Sequence, residues 1–199
     1  MWPCSVRERA ILGVVVLGCT PAALAQDRYQ PDIKPADVQR MVQARELLRH
    51  GNSKGAAEAL RQLTVTVPDY FLAHYNLGIA LSNLGDNKGS LAALKRALAI
   101  KESKALNEWS IYNSTGWAYM ILGDDRQAEA LLKVAEAHAD QLPQGSQAKL
   151  WNNLGYLYMS RHAYSTARPY LERAKASGSA LAEDNLRVLQ QLETSERSK

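Results

Sequence analysis

Four histidines, His50, His74, His138 and His162, are the residues best suited to acid–base or metal chemistry in this 199-residue chain. None belongs to a His-Glu-x-x-His pair, and no Gly-rich phosphate loop or Gly-x-Ser-x-Gly occurs. Both cysteines, Cys4 and Cys19, fall in the first 25 residues, so thiol catalysis and Cys-ligated zinc are not expected of the remainder. Carboxylates such as Glu46, Asp86, Asp124 and Asp125 read as helix caps or solvated faces. A formal net charge of +4, with acids and bases interspersed, gives no basic stripe for nucleic acid. The sequence therefore predicts no enzyme, no metal and no cofactor. Recognition chemistry remains. Asn76, Asn113, Asn152 and Asn153 each carry a donor and an acceptor, and Tyr75, Trp117 and Tyr156 offer rigid apolar surface.

Those residues recur with a period, which points to the elements that must position them. Asn76-Leu77-Gly78, Ser114-Thr115-Gly116 and Asn153-Leu154-Gly155 stand 38 and 39 residues apart. Each is followed by a bulky residue (Leu81, Tyr119, Tyr158), then a small one (Ser90, Ala128, Ala167), a Leu (Leu94, Leu132, Leu171) and an Ala (Ala97, Ala135, Ala174). Spacings of this kind place the small and large residues on packed faces of two helices. Gly followed by Asn or Asp, at Gly51-Asn52, Gly85-Asp86 and Gly123-Asp124, stops one helix and starts the next. In the last copy Arg161-His162-Ala163 stands there instead, so that turn is less sharply specified. The expected fold is all-α, a stack of helical hairpins rather than a globule with one private core.

The pattern resembles the tetratricopeptide repeat, a 34-residue helix–turn–helix unit with W-x₂-L-G-x₂-Y…A-x₃-F…P. Trp151, Leu154, Gly155, Tyr158, Ala167, Leu171 and Ala174 are in register with it, as are Thr115, Gly116, Tyr119 and Ala128, and Leu77, Gly78, Leu81 and Leu94. A weaker copy has Ala44 at the glycine place, then Leu47, Ala56, Leu60 and Pro68. The resemblance implies a right-handed α-solenoid with units at 37–70, 71–104, 109–142 and 148–181, a capping helix at 180–195 and a tail at 196–199. Lys104–Glu108 reads as a helix extension, and Pro143–Gln147 as a loop.

In such repeats the first helix of each hairpin lines a concave groove that binds a protein or peptide. Carried over by position, the groove residues are Tyr75, Asn76, Ile79, Asn113, Trp117, Met120, Asn152, Asn153, Tyr156 and Met159, with Val38, Met41, Val42, Arg45 and Ser114 beside them. Asn76 and Asn153 have a second reading, as hydrogen-bonding residues between repeats. Trp109 and Trp151 read as packing residues. The carboxylate-clamp version of the groove is not expected, because Met41, Arg45, Asn76, Ser110 and Ser114 stand in its places and only Asn76 matches.

The first 25 residues read as an export signal. Arg7 and Arg9 precede the apolar run Ala10–Gly18, which is too short to span a bilayer, and Ala23-Leu24-Ala25 is a small-x-small cleavage site. Residues 26–36, with Pro31 and Pro35, read as an extended leader. Val16-Leu17-Gly18-Cys19 resembles a bacterial lipobox, leaving a lipid anchor on Cys19 as the alternative to simple cleavage. The expectation is a periplasmic scaffold with no membrane span and no nucleic-acid partner, its oligomeric state open. Such proteins resemble accessory factors of pilus and secretion assembly, including those of the tight-adherence pilus. A lipid-anchored, pilotin-like outer-membrane chaperone and a regulatory subunit of an envelope enzyme stay open beside it.

Overall fold

Helices begin where the glycine and Asx signals place them in the computed structural model, which describes residues 33–197. Four hairpins follow in order: α1 (Pro35–Arg49) with α2 (Ser53–Thr66), α3 (Phe71–Asn83) with α4 (Asn87–Lys104), α5 (Ser110–Ile121) with α6 (Asp125–Ala137), and α7 (Gln144–Ser160) with α8 (Tyr164–Ala176). A final helix, α9 (Ala180–Arg197), closes the stack, and no strand occurs among the described residues. The export signal, Cys19 and most of the leader lie outside the described residues. Pro35 and Ala36, read as leader, form the first turn of α1, where proline's fixed φ and missing N–H suit a helix start.

One contact repeats through the stack. A Cβ added at Gly78 would lie 2.5 Å from Leu94 Cγ, one at Gly116 2.9 Å from Leu132 Cγ, and one at Gly155 2.5 Å from Leu171 Cδ2. Each hairpin therefore closes by pressing a leucine against bare backbone sixteen residues earlier. Ala44 and Leu60, both fully buried, stand at the equivalent places in the first hairpin and share its core. Every second helix packs against the first helix of its own hairpin and of the next, while the first helices α1, α3, α5, α7 and α9 also touch one another. The first helices thus form the more closely packed layer, and their free side is the inner face.

The two inserted segments exchange the conformations expected of them. Lys104–Glu108 does not extend a helix: α4 stops at Lys104, Ala105 turns left-handed at φ 51°, and Leu106 N–H reaches back to the Lys101 carbonyl at 3.0 Å. Trp109 explains the stop. Its ring lies 4.1 Å from Lys101 Nζ on one side and stacks on His138 at 3.4 Å. Lys101 is buried, and desolvation lowers its pKa. Continuing α4 would carry Trp109 away from this cluster. Residues 144–147, expected as a loop, instead open α7. Pro143 stands just ahead of the helix, and the Ser146 and Gln147 N–H groups both bond its carbonyl. Gly145 lies in that first turn, where its low helix propensity matters least.

Candidate interaction face

At 100° per residue, positions i, i+4, i+7 and i+11 of a helix share one stripe. On α3 the stripe open to solvent is Leu72, Asn76, Ile79 and Asn83; on α5 it is Ser110, Ser114, Trp117 and Ile121; on α7 it is Lys149, Asn153, Tyr156 and Ser160. The third member is apolar each time. Ile79, Trp117 and Tyr156 align across neighbouring helices, with the Trp117 and Tyr156 ring centroids 6.2 Å apart. The ridge continues onto α9, where Val188 is 43% exposed and Leu181 66%.

The ten residues expected to line the groove divide into two groups. Ile79, Trp117, Tyr156, Asn76, Asn153 and Tyr75 reach the face, wholly or in part. Asn113, Asn152, Met120 and Met159 are buried in the seams between first helices, as is Met41 at the other end. The reason is angular: Asn113 and Met120 sit roughly 40–60° round the helix from Trp117, on the side that meets α7. Met159 joins the core formed by Tyr164, Ala167, Leu171 and Leu189.

The amides work within the molecule. Asn153 Nδ2 donates to Asn113 Oδ1 at 3.0 Å, and Asn185 Nδ2 donates to Asn152 Oδ1 at 2.9 Å. Asn76 Nδ2 donates to the Leu72 carbonyl of its own helix at 2.7 Å. Hydroxyls continue the ladder: Tyr75 Oη and Ser114 Oγ share a 3.3 Å bond, and Ser110 Oγ donates to Ser146 Oγ at 3.4 Å. Burial raises the Tyr75 pKa, which keeps that hydroxyl neutral. Apart from Asn76, these polar groups tie repeat to repeat, and the third place of each open stripe is left to an apolar residue.

Leu181 and Val188 were missed because α9 reads as a polar cap. Its far side is indeed polar, with Glu183, Arg187 and Gln190 exposed. Arg187 stands where the repeat has glycine, and no second helix approaches it there, so nothing requires a small residue. Val188, directly after it, was legible as the fourth member of the series Ile79, Trp117 and Tyr156. The four histidines lie apart, His74 Nε2 meeting the Pro68 carbonyl and His162 Nδ1 the Tyr164 hydroxyl. Among the described residues no three His, Cys, Asp or Glu side chains gather to hold a metal. Among them, too, no helix is long and apolar enough to cross a membrane.

Residues 41–105 match the tetratricopeptide repeat family model, and the hairpins that follow continue the same fold: the chain carries a tetratricopeptide-repeat solenoid. No curated protein sequence matches it. Among solved structures it is similar to PilF of Pseudomonas aeruginosa, at 17% identity and TM-score 0.66 over 80% of this chain and 70% of that one. PilW, described as a widely conserved type IV pilus biogenesis factor, shares 20% identity at TM-score 0.62, over 73% of this chain and 63% of PilW. The Cut9–Hcn1 hetero-tetramer of the APC/C matches at 18% identity and TM-score 0.68, over 77% of this chain but 29% of its counterpart. At these identities the likeness is one of fold.

Proposed function

We propose that this protein is an exported scaffold of the bacterial envelope that holds a protein partner on its inner face and serves pilus or secretion assembly. The observation that carries the binding role is the ridge Ile79–Trp117–Tyr156–Val188. Apolar side chains are aligned there across four helices, Ile79 and Trp117 partly exposed and Tyr156 and Val188 exposed, and contiguous apolar surface of this kind marks an interaction site. Export rests on the basic, apolar and small-x-small segments of residues 1–25. The pilus assignment rests on the fold shared with PilF and PilW.

A photo-crosslinking residue placed at Trp117 or Tyr156 tests the binding role in the producing cell. The expected result is a discrete adduct with an envelope protein, absent when the same residue replaces exposed Lys95 on the opposite layer. Equal adducts from both faces would remove the inner face as the site. Intact-mass analysis of the mature chain reads location separately. An N-terminus at Gln26 agrees with a free periplasmic protein, whereas a diacylated Cys19 would move it to a membrane anchor.

A further inference from the structure

We infer that the partner segment is an amphipathic helix with acidic flanks, rather than an extended peptide; this rests on the inner face being the binding surface. An extended segment brings its own unpaired N–H and C=O groups, and a groove that accepts it must supply partners for them. This face has little to supply. Of the amides on or beside it, Asn76, Asn113, Asn152 and Asn153 each have at least one end engaged inside the molecule. The Ser110, Ser114 and Tyr75 hydroxyls are engaged too. What the amides leave, an Oδ1 and a second N–H on each of Asn76 and Asn153, can pair only a small part of an extended backbone laid across the whole ridge.

The apolar surface there is Leu72, Tyr156 and Val188, exposed, with Ile79 and Trp117 partly exposed between them; it has dispersion and desolvation to give and few hydrogen bonds. A helix satisfies its own backbone, so it alone can lie on such a ridge without burying unpaired groups. Length agrees: packed helices lie about 8–10 Å apart, so the ridge from α3 to α9 spans roughly 25–30 Å, the length of an 18- to 20-residue helix. Charge selects further. Arg45 on α1 and Lys149 on α7 lie on the same stripes, exposed and in no ion pair among the described residues. Of the acids at that face, Asp184 is held by Arg187 at 3.1 Å, and Glu108, whose charge reaches Tyr75, lies within the field of Lys101. The uncompensated charge is positive, which favours acidic residues beside the partner's apolar stripe.

Three synthetic peptides of about 20 residues test this by calorimetric titration against the mature chain. One is a helix with a leucine stripe and glutamate flanks. The second has the same composition reordered into strict apolar–polar alternation, and the third is the first with lysine for glutamate. The first should bind, the alternating peptide should not, and the lysine version should be weaker by about tenfold or more. Trp117→Ala and Tyr156→Ala should each weaken the first peptide by about tenfold, with helical circular dichroism retained. Tyr156, the more exposed of the two, keeps the test valid if Trp117→Ala unfolds. Lys95→Ala, exposed on the opposite layer, should leave affinity within about twofold. If the alternating peptide binds as tightly and depends on Trp117, the helix inference fails while the inner face stands. If neither peptide binds, or binding ignores both Trp117 and Tyr156, the face fails with it. A dimer in sedimentation that Tyr156→Ala dissolves would give the face to a second copy and overturn the inference.

Discussion

The third and fourth hairpins have the same outline and are held by different means. Between α5 and α6 the turn is local: Gly123 takes φ 82°, and the Asp124 carboxylate accepts the Gln127 N–H at 3.1 Å. Between α7 and α8 the left-handed place is filled by His162 at φ 60°, Ala163 offers no side-chain cap, and Pro169 interrupts the interior of α8. Each departure is unfavourable by itself. Ties to the preceding hairpin offset them. Arg161 Nη1 donates to Glu129 Oε2 at 2.6 Å and Nη2 to the Asp125 carbonyl at 2.7 Å, while the Tyr158 hydroxyl donates to Glu129 Oε1. Tyr170 stacks between Trp151 and Tyr158, and the Arg173 guanidinium lies 3.7 Å from the Trp151 ring. The third hairpin is specified by three adjacent residues; the fourth depends on its neighbour.

The largest effect should come from the part the two hairpins share. Gly116→Leu and Gly155→Leu each drive a side chain into the leucine of the second helix, so each should lose about 3 kcal/mol or more in urea unfolding. A neutral result at either would mean that the glycine contact does not close that hairpin. Arg161→Ala separates the two. It should lose about 1 kcal/mol, discounted because the guanidinium is partly exposed. A double-mutant cycle with Glu129→Gln should show coupling of comparable size. Leu122→Ala, at the equivalent place in the third hairpin, should stay within about 0.5 kcal/mol.

The same contrast separates what could be read in the sequence from what could not. Gly78, Gly116 and Gly155, the leucines sixteen residues later and the Gly-Asx turns are short-range or strictly periodic, so hairpin boundaries were legible. The ridge residues Ile79, Trp117 and Tyr156 inherit that register. Met120, Met159, Asn113 and Asn152 were assigned to the open groove because periodicity gives a direction from the helix axis. Whether that direction meets water or the next helix depends on how closely the repeats stack. The cluster of Lys101, Trp109 and His138 joins three helices through a four-residue insertion, and no local signal announces it. Arg161 likewise looks like a spoiled turn until Asp125 and Glu129 are placed beside it.

Exchanging the local code tests whether the fourth turn is weak or merely different. Ala163→Asp offers a side-chain acceptor to the Thr166 N–H, which otherwise bonds the Ala163 carbonyl at 3.1 Å, and should gain up to about 1 kcal/mol. Asp124→Ala removes the equivalent acceptor and should lose a similar amount. If Ala163→Asp gains nothing, Arg161 and Tyr164 already hold the turn in its final geometry. The cap would then be redundant there rather than absent.

The smallest effect is one of pH, and it belongs to the fourth hairpin's ties. Hydrogen bonds from Arg161 and then Tyr158 lower the Glu129 pKa below the ordinary carboxylate value of 4.5. A carboxylate with a depressed folded-state pKa contributes stability that is present above its unfolded value and is lost as pH falls through the folded one. Between neutrality and about pH 5 the contribution should therefore be flat. Below 4.5 it should decline, and amide exchange in α7 and α8 should accelerate there. Glu129→Gln should be less stable at neutral pH and should lack that part of the acid decline. Because Glu129 is partly exposed and screened, the difference should be a fraction of about 1 kcal/mol. An acid decline that is unchanged in Glu129→Gln would show that the pairs with Arg161 position the turn without stabilising it, and would make the fourth hairpin as self-sufficient as the third.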